Sequence, residues 1–199
     1  MAIPRLSSSS AARWLDSPER YGWVSQALHW GMAALFAWQF TGMVLRLLLG
    51  RTPVTAVMVG SHAPVGTLLL GLVLLRLLWA WGNRHRRPPR ERTPAGRAAW
   101  LGHAALYLLM IVIPLLALLR HYGSGRAFAP FGVPLMAASD KLPWLMAPAD
   151  AVHGLLAWLL LALVAGHVLM VLVHQYVWRD GIAGRMLPRR RKGPPSGPG

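Results

Sequence analysis

The chain has 199 residues, 55% of them hydrophobic and 14% charged, and a net charge of +15. Its apolar runs are longer than a soluble core helix needs, and its cations fall in the short segments between and beyond those runs. That pattern signals membrane topology and argues against a nucleic-acid binder. Cysteine is absent, which excludes disulfides, thiolate haem ligation, iron–sulfur clusters and thiol catalysis.

Residues 1–22 are polar, Ser-rich and basic, and read as a flexible leader ending in an interfacial stretch at Tyr21 and Trp23. The first span is expected over 24–49, with His29 near its start and Arg46 near its end. It is too long for a signal peptide, and no small-residue cleavage site follows it. A short loop with Arg51 and Pro53 leads to a second span over 57–81. His62 opens that span, Pro64 is expected to bend its entry, and Arg76 lies toward its other end. Residues 83–99 form a basic, Pro-rich loop containing His85. The third span is expected over 100–119, with His103 at its start and Pro114 inside. Residues 120–150, rich in Gly, Pro and aromatics, are expected to fold over the membrane surface. The fourth span, 151–178, carries His153, His167 and His174. Residues 181–199 read as a basic, disordered tail. Residues 23–180 are thus one membrane domain, an all-α bundle of four helices.

Four spans place both termini on one side. The leader, the 83–99 loop and residues 179–199 carry three, six and six Lys or Arg residues. The opposite side has Arg51, Arg120, Arg126 and Lys141, with Arg46 at the boundary. The excess puts both termini in the cytoplasm of a cell inner membrane protein. For most of these cations, topology and headgroup contact suffice as an account.

Depth then sorts the histidines. His153 and His167 are 14 residues apart, about four turns less roughly 40°, so they leave nearly one face at levels about 21 Å apart. His62 and His153 fall at the outer level, His29 and His167 at the inner. An imidazole inside a membrane is costly and usually functional. Zinc prefers four ligands, and two rings per level are too few. A haem needs two axial ligands and an apolar slot, and bis-histidine ligation favours electron transfer over oxygen binding. The expected cofactors are therefore two haems. Arg76 is placed for the inner propionates, and Arg46 or Arg51 for the outer ones. The bland reading makes each histidine a packed or interfacial residue; two depth-matched pairs argue against it. His174 competes with His167, but it would stretch the levels to about 31 Å, the whole hydrocarbon thickness. His174 and His103 are left as interfacial residues that could meet a quinone or propionate. His85 reads as solvated, and His121 as a possible lining of an outer entrance. Gly31, Gly66, Gly154 and Gly166 fit either helix approach or room for a porphyrin.

The stretches RYGWVSQALHW (20–30), SHAPVGTLLLGLVLLRLLW (61–79), GHAALYLLMIVIP (102–114) and the ending HQYVWRDGIAGRMLP resemble the prokaryotic cytochrome b561 family. The resemblance covers residues 20–188 and implies a four-helix inner-membrane protein with two b-type haems. It carries the ligand roles onto His29, His62, His153 and His167, in agreement with the depth argument. One branch of that family oxidises superoxide and reduces ubiquinone, and other members are anchor subunits passing electrons between quinone and a partner protein. The resemblance therefore implies a di-haem electron carrier with membrane lipid and quinone as partners and superoxide as the favoured outer donor. The outer cations form an expected funnel for that anion, diluted by Asp140 and Asp150. A haem-free transporter is disfavoured, because the spans hold no carboxylate suited to proton coupling.

Overall fold

The computed structural model describes residues 14–89 and 93–187. Its long helices are α1 (Trp23–Leu49), α3 (His62–Gly82), α4 (Pro94–Gly123) and α5 (Pro143–Leu172), with a short α2 (Pro53–Gly60) leading into α3. Four spans are long and apolar enough to cross a membrane: Trp23–Leu49, Pro53–Gly82, Pro94–Gly123 and Pro143–Trp178. Much of their apolar surface is exposed, with Leu48 72%, Leu155 69% and Leu78 67% accessible. Such a belt suits lipid and not water.

Three spans begin earlier than hydropathy suggests. Pro53, Pro94 and Pro143 each open a helix within its first two positions, where the missing N–H is no loss. Thr52 and Thr55 form a reciprocal capping box, and the Thr93 side chain accepts from Gly96 N–H. Helix therefore starts four to eight residues before the second, third and fourth apolar runs, over segments too polar to count as span. The third span also extends to Gly123, beyond the expected end at residue 119. Pro64 lies inside the first turn of α3, and the break in the second span falls at Ser61, between α2 and α3.

The end that holds residues 14–22 and 185–187 is stitched together. Asp16 is buried, accepts from Gly22 N–H at 2.9 Å and pairs with Arg87 at 3.0 Å. Arg87 also lies over the Tyr21 ring. Tyr21 N–H donates to the Arg185 carbonyl, Arg20 to the Leu187 carbonyl, and Trp30 Nε1 to the Met186 carbonyl. Residues 14–22, expected as part of a flexible leader, are thus held against the 83–89 turn and residues 185–187. Residues 1–13 and 188–199, the remainder of the expected leader and tail, lie outside the described residues.

At the far end, the α4–α5 connection folds back on the bundle, as its composition suggested. A Phe128–Met136 bridge closes a hairpin, and its Pro130–Gly132 turn rests against α3.

Packing is uneven around the bundle. Met32, Val65, Leu69 and Val73 form one core cluster, and Leu109, Ile113 and Leu160 another. Helix α5 packs closely along α4, whereas its backbone makes little or no close contact with α1 or α3. The histidine pairs fall on this open seam.

Candidate functional site

Each end of the seam brings two imidazoles together. At the terminal end, His29 of α1 faces His167 of α5, with ring centroids 6.4 Å apart and planes at 72°. At the far end, His62 of α3 faces His153 of α5, at 6.3 Å and 69°. A shared metal would hold each imidazole nitrogen at about 2.0 Å; adding about 1.1 Å from each nitrogen to its ring centre gives a separation of about 6.2 Å, close to both. Both pairs have that spacing without touching. No cluster of three or more metal-ligating side chains exists among the described residues, so a closed zinc site does not fit.

The slot beside the rings is open. A Cβ built on Gly31, Gly154 or Gly166 would meet nothing within 4 Å. These glycines therefore do not serve helix approach, and they leave the space a planar group would need. Gly42 is different: a Cβ there would lie 2.8 Å from Met58 Cβ, so glycine is what lets α1 cross α2.

Arg76 sits at the terminal-end pair. Its Nε donates to Tyr107 Oη at 2.8 Å and its Nη1 to the Ser25 carbonyl at 3.1 Å. These bonds leave Nη2 as the end that could meet an anion. Ser25 is 1% exposed, and its hydroxyl accepts from Trp79 Nε1 at 3.1 Å. His103 joins the same end: its ring lies 5.1 Å from that of His167, and its Nδ1 lies 2.6 Å from the Ala99 carbonyl. His174 pairs through Nδ1 with Asp180 at 2.5 Å and packs edge-on to Trp178. These contacts sit in and after a π-helical turn, Val173–Trp178, which ends at Arg179 in the left-handed region. His85 is exposed in the 83–86 turn.

The far-end pair has fewer polar neighbours. Arg46 is half-buried in the last turn of α1, and Arg51 is exposed. Arg120 is not a free cation, since it pairs with Asp150 at 2.5 Å. The expected outer funnel thus loses one of its members. His121 lies against the Phe128 ring at 4.3 Å. The Nε2 of His121, the Nδ1 of His153 and the Oε1 of Gln39 are buried without hydrogen-bond partners among the described residues. Gln39 Nε2 donates to the His62 carbonyl at 2.9 Å.

Sequence reading singled out the four paired histidines, Arg76 and Arg46. It missed Ser25, Tyr107, Trp79 and Gln39. Ser25 and Gln39 carried a signal, because each is a polar side chain inside an apolar run. Tyr107 and Trp79 carried none, since aromatic residues are ordinary near membrane boundaries.

Residues 20–189 match the sequence pattern of prokaryotic cytochrome b561. The chain is 32% identical over 186 residues to cytochrome b561 homolog 2 of Escherichia coli (strain K12), covering 86% of this chain and 93% of that protein. It is 27% identical over 176 residues to a Yersinia pestis protein named probable superoxide oxidase CybB, covering 87% and 98%. A third relative, cytochrome b561 homolog 1 of Escherichia coli (strain K12), is 28% identical over 171 residues, covering 82% and 94%. The chain belongs to the prokaryotic cytochrome b561 family, membrane proteins that transfer electrons with b-type haem.

Proposed function

We propose that the protein is a di-haem cytochrome of the inner membrane that takes single electrons from superoxide at the periplasmic face and delivers them to ubiquinone. The observation that carries this reading is the two histidine pairs, spaced at 6.3 and 6.4 Å, at opposite ends of one open seam. Both termini lie in the cytoplasm, because the leader, the 83–99 loop and the C-terminal segment carry most of the chain's Lys and Arg residues. His29 and His167 would hold the inner haem, and His62 and His153 the outer.

Haem b, when bound, supplies a reversible one-electron iron couple with no open coordination position. The chain's own groups do the rest. The four imidazoles fix two levels about 21 Å apart along α5. Arg76, oriented by Tyr107 and Ser25, would offer its remaining guanidinium nitrogen to an inner propionate. Arg46, with Arg51, Arg126 and Lys141, gives the outer end a positive field that draws a small anion. Overall, two superoxide ions become two dioxygen molecules, and one ubiquinone takes up two electrons and two cytoplasmic protons. The name borne by the Yersinia pestis relative supports the choice of superoxide.

The test is the visible spectrum of the purified, oxidised protein while superoxide is generated beside it, with catalase present. A b-type α-band that grows, is suppressed by superoxide dismutase and decays on adding ubiquinone is the expected result. A band that forms only with dithionite would remove superoxide as donor and leave an anchor subunit passing electrons between quinone and a partner redox protein. No band with either reductant would remove the haem assignment.

A further inference from the structure

The outer pair has a brace that the inner pair lacks. His29 and His167 lie inside continuous α-helices, so helical bonds on both sides hold their backbones. His62 is the first residue of α3, directly after the junction with α2 at Ser61. Helical bonding runs through that junction, from Ser61 N–H to the Val57 carbonyl and from Val65 N–H to the Ser61 carbonyl, so the side chains that reach it are what distinguish the outer site.

Two adjacent side chains of α1 reach that junction. Trp38 Nε1 donates to Ser61 Oγ at 2.9 Å, and Ser61 Oγ donates to the Met58 carbonyl at 2.8 Å. Gln39 Nε2 donates to the carbonyl of His62 itself at 2.9 Å. Gln39 is 8% exposed, and its Oε1 is buried without a donor among the described residues. Turning the amide over would set oxygen against the His62 carbonyl, acceptor against acceptor, so the bond to His62 fixes its orientation. The fold makes room for this arrangement: a Cβ on Gly66, one turn beyond His62, would lie 3.4 Å from Gln39 Nε2. Bundle stability does not explain the choice of residue. A leucine would fill the same place with no amide to desolvate and no end left unpaired.

We propose that Gln39, supported by Trp38, is a positioning residue for the outer haem site. It holds the backbone at His62 and thereby sets the plane of that imidazole, which stands at 69° to the His153 ring. It touches no reacting atom. Ligand orientation is a lever on an iron's electronic structure and potential. This inference rests on the di-haem reading, and the inner haem serves as its internal control.

The experiment compares the unaltered protein with Gln39→Leu, purified with haem in excess, by low-temperature electron paramagnetic resonance and by redox titration of the α-band. If the unaltered protein shows no low-spin haem signal, the di-haem reading fails, and this proposal fails with it. If it shows two, the proposal predicts that Gln39→Leu shifts the largest g value and the midpoint potential of one haem only. That haem is the one whose signal His62→Ala removes. Loss of that haem alone would support the same role. Unchanged signals, or equal shifts in both haems, would overturn the proposal while leaving the di-haem reading in place. Should Gln39→Leu not fold, Trp38→Phe keeps the ring and removes the bond to Ser61. A smaller shift confined to the outer haem is then expected, and no shift would overturn the proposal.

Discussion

The two histidine pairs share one ring separation and differ in almost everything around it. The inner pair stands beside a hydrogen-bonded cluster of Arg76, Tyr107, Ser25 and Trp79, with His103 against His167. The His62–His153 pair, proposed as the outer one, stands at an end where buried polar atoms of Gln39, His121 and His153 have no hydrogen-bond partner among the described residues. A fixed cation near an iron stabilises the reduced state over the oxidised one. Arg76 is held by two hydrogen bonds beside its pair, whereas Arg51, Arg126 and Lys141 at the outer end are exposed and screened and Arg46 is half-buried; the inner haem is therefore expected to have the higher potential, which favours electron flow from the outer face inward. The contrast teaches that spacing sets what can bind, while the neighbouring charges set which way electrons run.

The largest expected effect separates the two sites outright. His62→Ala or His153→Ala should leave one haem per chain, and His29→Ala or His167→Ala should leave the other, as read by a haem-to-protein ratio falling from two to one. Loss of both haems from one substitution, with the bundle still folded, would show that the sites are not independent. Next is Arg76→Gln, which removes the charge that distinguishes the inner site. The inner midpoint should fall by about 60 mV, the one-electron equivalent of a tenfold change, while the outer midpoint stays. A redox titration of the two α-bands reads both.

Gly42→Ala tests the helix crossing nearer the outer pair. Its Cβ would meet Met58 Cβ at 2.8 Å, and overpacking of this kind costs about 1–3 kcal/mol. Thermal unfolding should shift down, and the outer haem should be released before the inner. The smallest effect concerns the inner end of α5. The hydrogen bond from His174, with a second from Ile182 N–H, holds the Asp180 carboxyl below the ordinary carboxylate range. A depressed carboxyl contributes stability above its unfolded value of about 3.9 and loses it as pH falls through the folded value. The difference in thermal stability between the protein and Asp180→Asn should thus be present above about pH 4 and fall away as pH drops from there through the folded value.

Much of this architecture could be read from residue order. The spans are legible because lipid demands long apolar helices, and the fourteen-residue interval from His153 to His167 converts directly into one face and two levels. The helix starts at Pro94 and Pro143 were less legible, because hydropathy reports the lipid-facing length and says little about polar first turns. The hold on residues 14–22 was hidden for another reason. It depends on Asp16 meeting Arg87, 71 residues away, and no local pattern announces such a pair. Within the site, ligand candidates stood out as imidazoles in apolar runs. Their supports did not, because Tyr107 bonding Arg76, or Gln39 bonding the His62 carbonyl, depends on how neighbouring helices are rotated.

The central claim is that each pair of rings flanks one iron with crossed planes. Imidazole planes crossed at 72° and 69° give strongly anisotropic low-spin ferric signals, unlike the rhombic signals of parallel planes. Electron paramagnetic resonance of the oxidised protein at low temperature, with spins counted against the chain, tests this most directly. The account predicts two large-g, low-spin haems per chain. A high-spin signal, or a single haem that survives both His62→Ala and His29→Ala, would contradict it.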